Sequence, residues 1–197
     1  KRSGEFIDDF SILRIGFKES PVYYERPEDE PGNLLPRDID HDDLENVYSE
    51  SKRLLRDNKD EAARQLLQIT YNKSEFNQKD QKVNKLYGLL SFKARDYMAA
   101  SEVIRKYLQV DPSYDEFWYY LSMAEKKLGH LNMALEAGER LRQTDPNHVL
   151  NLLNLADVNR LIGKIPTAIE LTKLALELEP DNTGGKRLMQ MLKSIVQ

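Results

Sequence analysis

The sequence predicts an all-α protein: a solenoid of stacked helix-turn-helix units, preceded by an extended acidic arm. Three observations point to it. Prolines recur 34 residues apart at Pro112, Pro146 and Pro180, each behind an acid (Asp111, Asp145, Glu179). Two series of small residues keep the same step: Gly88, Ser122 and Ala156, and then Ala100, Ala134 and Ala168. Gly129 and Gly163 keep it as well. A fixed period of this length marks a repeat array, and residues 42–197 carry no alternating apolar pattern of the kind strands need.

Each series has a physical reason. A proline cannot continue a helix and restricts the residue before it, so it closes a unit. The small residues let two helices approach closely. The glycines suit the turn inside a pair, where a left-handed backbone is inexpensive.

The elements follow in order. Leu44, Val47, Leu54 and Leu55 have helical spacing, predicting a first helix over 43–56 with Asp42 or Asp43 as its N-cap. Its partner covers 60–72, with Ala63 and Leu67 on the expected frame. No proline closes this unit (44–77), and about three extra residues precede the next. Three regular units follow over 81–114, 115–148 and 149–182, with helices at 80–94, 97–109, 114–128, 131–143, 148–162 and 166–178. Pro166 falls in a first helical turn, where its missing N–H costs nothing. A last helix over 182–196 buries Leu188, Met189, Leu192, Ile195 and Val196. Lys186, Arg187, Gln190 and Lys193 give it the polar outer face of a cap.

These residues resemble the tetratricopeptide repeat, a 34-residue helix-turn-helix unit. The best matches are Trp118, Leu121 and Ser122 with Gly129, Ala134 and Pro146, followed by Leu152, Leu155 and Ala156 with Gly163, Ala168, Ala175 and Pro180. The unit before them matches through Tyr87, Gly88, Ala100, Ile104 and Pro112. The resemblance spans residues 81–182 and implies a right-handed superhelical solenoid, with residues 42–197 as the repeat domain and 183–197 as its capping helix. Gly138 and Thr172 depart from it where the family has a large apolar residue, and Tyr107 and Leu141 where it has alanine.

The arm is a different object. Residues 1–41 hold six Lys/Arg against ten Asp/Glu, whereas the body holds 23 of each, so the whole net charge of −4 sits in the arm. Four of the eight prolines lie there without a period. The arm also holds two apolar clusters, Phe6 to Phe17 before the first proline and Val22 to Tyr24 between Pro21 and Pro27. Two readings stand: a solvated linker, or an extended segment docked on the body or on a second copy of the chain.

Several functions are disfavoured. With no cysteine there is no disulfide frame, thiolate zinc site or thiol nucleophile, which weakly favours a reducing, cytoplasmic setting. The neutral body lacks a broad basic surface for nucleic acid. No apolar run approaches the roughly 18 residues of a membrane helix, so no direct membrane insertion is expected. The chain starts at Lys1, which is compatible with a signal or anchor removed upstream. The run from Asp38 to Asp43 through His41 matches no zinc or calcium loop spacing. His130 and His148 read as surface residues, and Gly184-Gly185-Lys186 as a loop glycine pair rather than an anion site. Phosphate-loop, nucleophile-elbow and metalloprotease motifs are missing. No catalytic, cofactor or metal residues are assigned, and a non-enzyme is expected.

The expected working surface is the concave face of the stacked first helices. The register places Tyr48 and Lys52 there from the first unit, then Lys82, Lys85, Leu89, Phe92 and Lys93. Tyr119, Met123, Lys126 and Lys127 follow, then Leu150, Asn154, Asp157 and Arg160. Tyr120 and Leu153 lie on the border with the core. Lysines beside aromatic residues suit a peptide or protein partner with apolar and acidic side chains. The family's carboxylate clamp is not formed, because Leu89 replaces the asparagine a turn after Lys85. The expected function is a scaffold or adaptor. The alternatives are a self-associating assembly subunit, or the non-catalytic part of a larger membrane-anchored protein or enzyme.

Overall fold

The computed structural model describes residues 39–73 and 80–196. The expectations for the arm therefore lie outside the described residues, apart from its last few positions. Within them the chain forms helices α1 (Leu44–Arg56), α2 (Asp60–Asn72), α3 (Gln81–Lys93), α4 (Tyr97–Val110), α5 (Asp115–Lys127), α6 (Leu131–Thr144), α7 (Val149–Leu161), α8 (Ile165–Leu178) and α9 (Thr183–Val196). The described residues contain no strand.

The helices pack as antiparallel pairs, α1 with α2 through α7 with α8, and α9 lies on α8 and α7. Each second helix also packs on the first helix of the next pair. First helices touch the next first helix (α1 with α3, α5 with α7, α7 with α9), while second helices make no comparable contact with one another. Closer spacing along one edge bends the stack, with the first helices on the inside.

One turn geometry repeats inside every pair. The residues Asn58, Arg95, Gly129 and Gly163 all have positive φ, between 57° and 83°. In each turn the next amide reaches back five residues: Lys59 N to Leu54 O, Asp96 N to Ser91 O, His130 N to Glu125 O and Lys164 N to Asn159 O, at 2.8–2.9 Å. This left-handed closure satisfies carbonyls that the helix end would leave open. The two glycines of the sequence series sit on it, and so do an asparagine and an arginine.

Between pairs, aspartate and proline act together. Asp111 Oδ1 accepts from Ser113 N and Asp145 Oδ1 from Asn147 N, both at 3.2 Å, so each acid ties the chain two residues ahead across its proline. Helix starts are capped by side chains at Asp43, Asp80 and Asp96.

The small-residue series marks the closest helix approaches. A Cβ on Gly88 would lie 2.9 Å from Ile104 Cγ1. Ser122 stands at the same place and donates to the Ala134 carbonyl at 2.7 Å. Gly138 replaces the large apolar residue expected there because Leu155 of α7 occupies its space: a Cβ on it would meet Leu155 Cδ2 at 2.6 Å. Tyr107, in place of alanine, is buried with its ring edge-on to Phe117 at 4.7 Å.

The glycine pair near the C terminus differs from the loop reading. Gly184 and Gly185 lie in the first turn of α9. Gly185 N donates to Asn182 Oδ1 at 2.8 Å, and a Cβ there would be 2.9 Å from Leu176 Cδ2. Its role is close packing of the cap on α8. Ile195, assigned to the buried stripe of this helix, is half exposed, whereas Leu192 is fully buried.

Candidate functional site

The face built by α1, α3, α5 and α7 carries the residues that the register selects. Equivalent positions on successive first helices form rows. Tyr48, Lys85 and Tyr119 make one row, and Lys52, Leu89, Met123 and Asp157 make the next. All seven are partly exposed.

The first row has a recurring support. Lys85 Nζ stands 3.6 Å from the centroid of the Tyr114 ring, and the Tyr119 ring lies 5.5 Å from that of His148. Each residue therefore rests on the one 29 positions further along, at the start of the next unit. An ammonium over a ring face is held by the ring quadrupole. The Tyr114 hydroxyl donates to Glu116 Oε2 at 2.5 Å, and burial followed by that carboxylate raises its pKa, so the ring stays neutral. His148 Nδ1 accepts from Asn151 N at 3.1 Å as the cap of α7, which puts its proton on Nε2. Tyr114 and His148 belong to this face although the sequence reading left them out. Their 34-residue separation and ring character were the available signal.

The lysines divide into two groups. Lys82 pairs with Glu45 at 2.9 Å, and both Lys82 and Lys52 lie 5.9 Å from the Tyr48 ring centroid. Lys93 pairs with Asp60 of α2. Lys126 pairs with Asp157 at 3.1 Å, and Arg160 meets the other carboxylate oxygen at 2.8 Å. Burial pulls the Lys126 ammonium below its ordinary pKa. At Asp157 burial acts upward, but Lys126 and Arg160 outweigh it and hold the carboxyl low. These three residues tie α5 to α7, so they are structural before they are available to a ligand. Lys85 makes no ion pair among the described residues, and Lys127 is exposed.

The remaining selected positions split the same way. Leu89, Met123 and Leu150 are half-buried and supply apolar surface. Phe92 wedges between Tyr97 and Tyr120, with centroids at 5.7 and 4.8 Å. Asn154 is only 4 % exposed: its amide donates to Ser122 Oγ at 2.7 Å, so it joins α5 to α7 instead of lining the face. Tyr120 is core, and Leu153 packs against the core of the last pairs.

Among the described residues no helix is long and apolar enough to cross a membrane, and no group of three or more His, Asp or Glu is placed to hold a metal ion. His41 instead contacts Thr70 Oγ1 through Nδ1 at 2.7 Å.

The nine helices of the described residues in this order, with one turn geometry inside the pairs and a proline after each regular unit, are the tetratricopeptide-repeat (TPR) fold. Solved TPR structures superpose on it. YrrB, described as a TPR protein with an unusual peptide-binding site, is 14 % identical with a TM-score of 0.69, covering 77 % of this chain and 76 % of its own. MamA from Desulfovibrio magneticus RS-1 is 21 % identical at 0.68, covering 78 % and 85 %. Cut9 of the APC/C Cut9–Hcn1 hetero-tetramer is 17 % identical at 0.61, covering 75 % of this chain but 29 % of that one. No family model matches the chain.

Proposed function

We propose that this chain is a non-enzymatic interaction module that binds an extended peptide, or a segment of a protein, along its first-helix face. The observation that carries this is Lys85, which rests on Tyr114, makes no ion pair among the described residues and acts on the Asp111 carboxylate only at longer range, beside the half-buried apolar side chains of Leu89 and Met123. That combination suits a partner with an acidic residue next to an apolar one. A few apolar anchors supply most of the affinity, and the lysines set orientation and encounter rate. The fold neighbour YrrB is itself described as peptide-binding, which supports the same reading.

The chain's own arm is a candidate ligand in cis or in trans, since residues 19–31 combine two tyrosines with five acidic side chains. The test is fluorescence anisotropy of a labelled peptide of residues 19–31, titrated with the protein lacking residues 1–36. Saturable binding that Lys85→Glu weakens at least tenfold, at unchanged melting temperature, supports the assignment. Binding that survives Lys85→Glu combined with Lys52→Glu refutes it.

A further inference from the structure

The repeats serve as controls for one another, and one gap fails to match its counterparts. The first helices α3, α5 and α7 each lie beneath a gap between two second helices. A residue of the following second helix fills that gap. The position is Val103 over α3 and Leu171 over α7, both buried, and Leu66 is its equivalent in the first pair. Over α5 the residue is Ala137, two to three carbons smaller than its counterparts. The result is a cavity of about 170 Å³ between α4 and α6, with Trp118, Leu121 and Ala137 on its floor and Met133 on its wall.

A second departure coincides with the first. At the place of Ser91 and Asn159, α5 carries Glu125, a carboxylate that is 1 % exposed. Its charge is fully answered: Ser101 Oγ donates at 2.5 Å, His130 Nδ1 lies at 2.8 Å, and the Arg105 guanidinium pairs with it. Glu125 and Arg105 therefore stiffen one side of the cavity at no net charge. On the opposite rim stands Glu136, exposed and with no ion pair among the described residues.

We propose that this gap is a second binding site, which takes one aliphatic side chain of a partner protein flanked by a basic residue. The aliphatic chain fills the volume that Val103 and Leu171 fill elsewhere, and the base meets Glu136. The volume lies below the several hundred Å³ of a drug-sized pocket, so it suits one side chain and not a cofactor. Met133, 46 % exposed, is an unbranched wall that adapts to the entering group. The site is separate from the proposed peptide face: Trp118, Leu121 and Glu125 lie roughly 130° around α5 from Tyr119, Met123 and Lys126, at 100° per residue.

Trp118 is the chain's single tryptophan, held by a 2.9 Å bond from Nε1 to the Pro112 carbonyl, so its emission reports on the site alone. The experiment titrates the full chain with three capped tripeptides: Lys-Leu-Lys, Lys-Ala-Lys and Glu-Leu-Glu. Lys-Leu-Lys is expected to shift Trp118 emission saturably, with at least tenfold weaker responses from the other two. Ala137→Leu, which copies Leu171, should abolish the response, and Glu136→Lys should weaken it about tenfold. If Ala137→Leu does not fold, Ala137→Val takes its place on the model of Val103. An unchanged titration in the filled variant, or an equal response to Glu-Leu-Glu, overturns the proposal.

Discussion

Lys126 Nζ stands 3.1 Å from Asp157 Oδ2 and links α5 to α7 across the inner edge of the solenoid. The lysine side chain is 14 % exposed and the aspartate 30 %. At that depth an ion pair is costly to half-remove, because the survivor keeps its desolvation penalty without its partner. The two ends are not equivalent: Asp157 also holds Arg160, whereas Lys126 has Asp157 alone among its described ion pairs.

Asp157→Asn should therefore destabilise the protein by about 2–3 kcal/mol, and Lys126→Met by about 1 kcal/mol or less. Urea denaturation of the two variants checks the order. Equal losses would show that Arg160 does not compensate. A charge reversal at Lys126 tests stability and not ligand binding, which is why Lys85 and Lys52 are the informative groove positions.

Gly129 and Gly163 should each lose about 1 kcal/mol on replacement by alanine. Their φ values are 81° and 83°, and an added Cβ would meet nothing within 4 Å, so the cost is backbone conformation alone. The double variant should show the sum of the two, measured as midpoint shifts in urea.

Gly138→Ala should cost more, about 1–3 kcal/mol, for the opposite reason. Its Cβ would sit 2.6 Å from Leu155 Cδ2, and Leu155 is fully buried with no room to retreat. Pairing it with Leu155→Val should recover part of the loss, which a double-mutant cycle would show as coupling between the two positions.

The helix order and the turns were legible in the sequence because proline, glycine and the small residues act through local backbone and steric rules. Asn58 and Arg95 escaped notice because residues other than glycine hold the same left-handed turn. Asparagine tolerates that conformation, whereas an arginine gives no sign of it. The face was legible as rows on a helix wheel, but the fate of its charges was not. Whether Lys126 meets solvent or Asp157 depends on a residue 31 positions away. Asn154 likewise turns inward because Ser122, 32 positions earlier, offers it an oxygen. Such pairings depend on the distance and tilt between helices, which periodicity does not contain.

His41 supplies a pH test at the entry to α1. Thr70 donates its hydroxyl proton to the Leu66 carbonyl at 2.9 Å, so the 2.7 Å contact with His41 Nδ1 is a bond that the imidazole donates. Burial first, and Lys73 second, push the imidazole below its ordinary pKa of 6.5, against smaller upward pulls from Asp42 and Asp40. The unfolded chain then binds a proton at a pH where the folded chain does not, so stability falls as pH drops below 6.5. The fall stops once the pH passes beneath the folded-state value, where both states are protonated. His41→Gln should flatten this slope and leave stability above pH 7 nearly unchanged. Lys73→Met should narrow the window by relieving one of the two downward influences. Urea midpoints between pH 5 and 8 for the three proteins decide it, and a wild-type slope that His41→Gln leaves in place would assign the titration to another group.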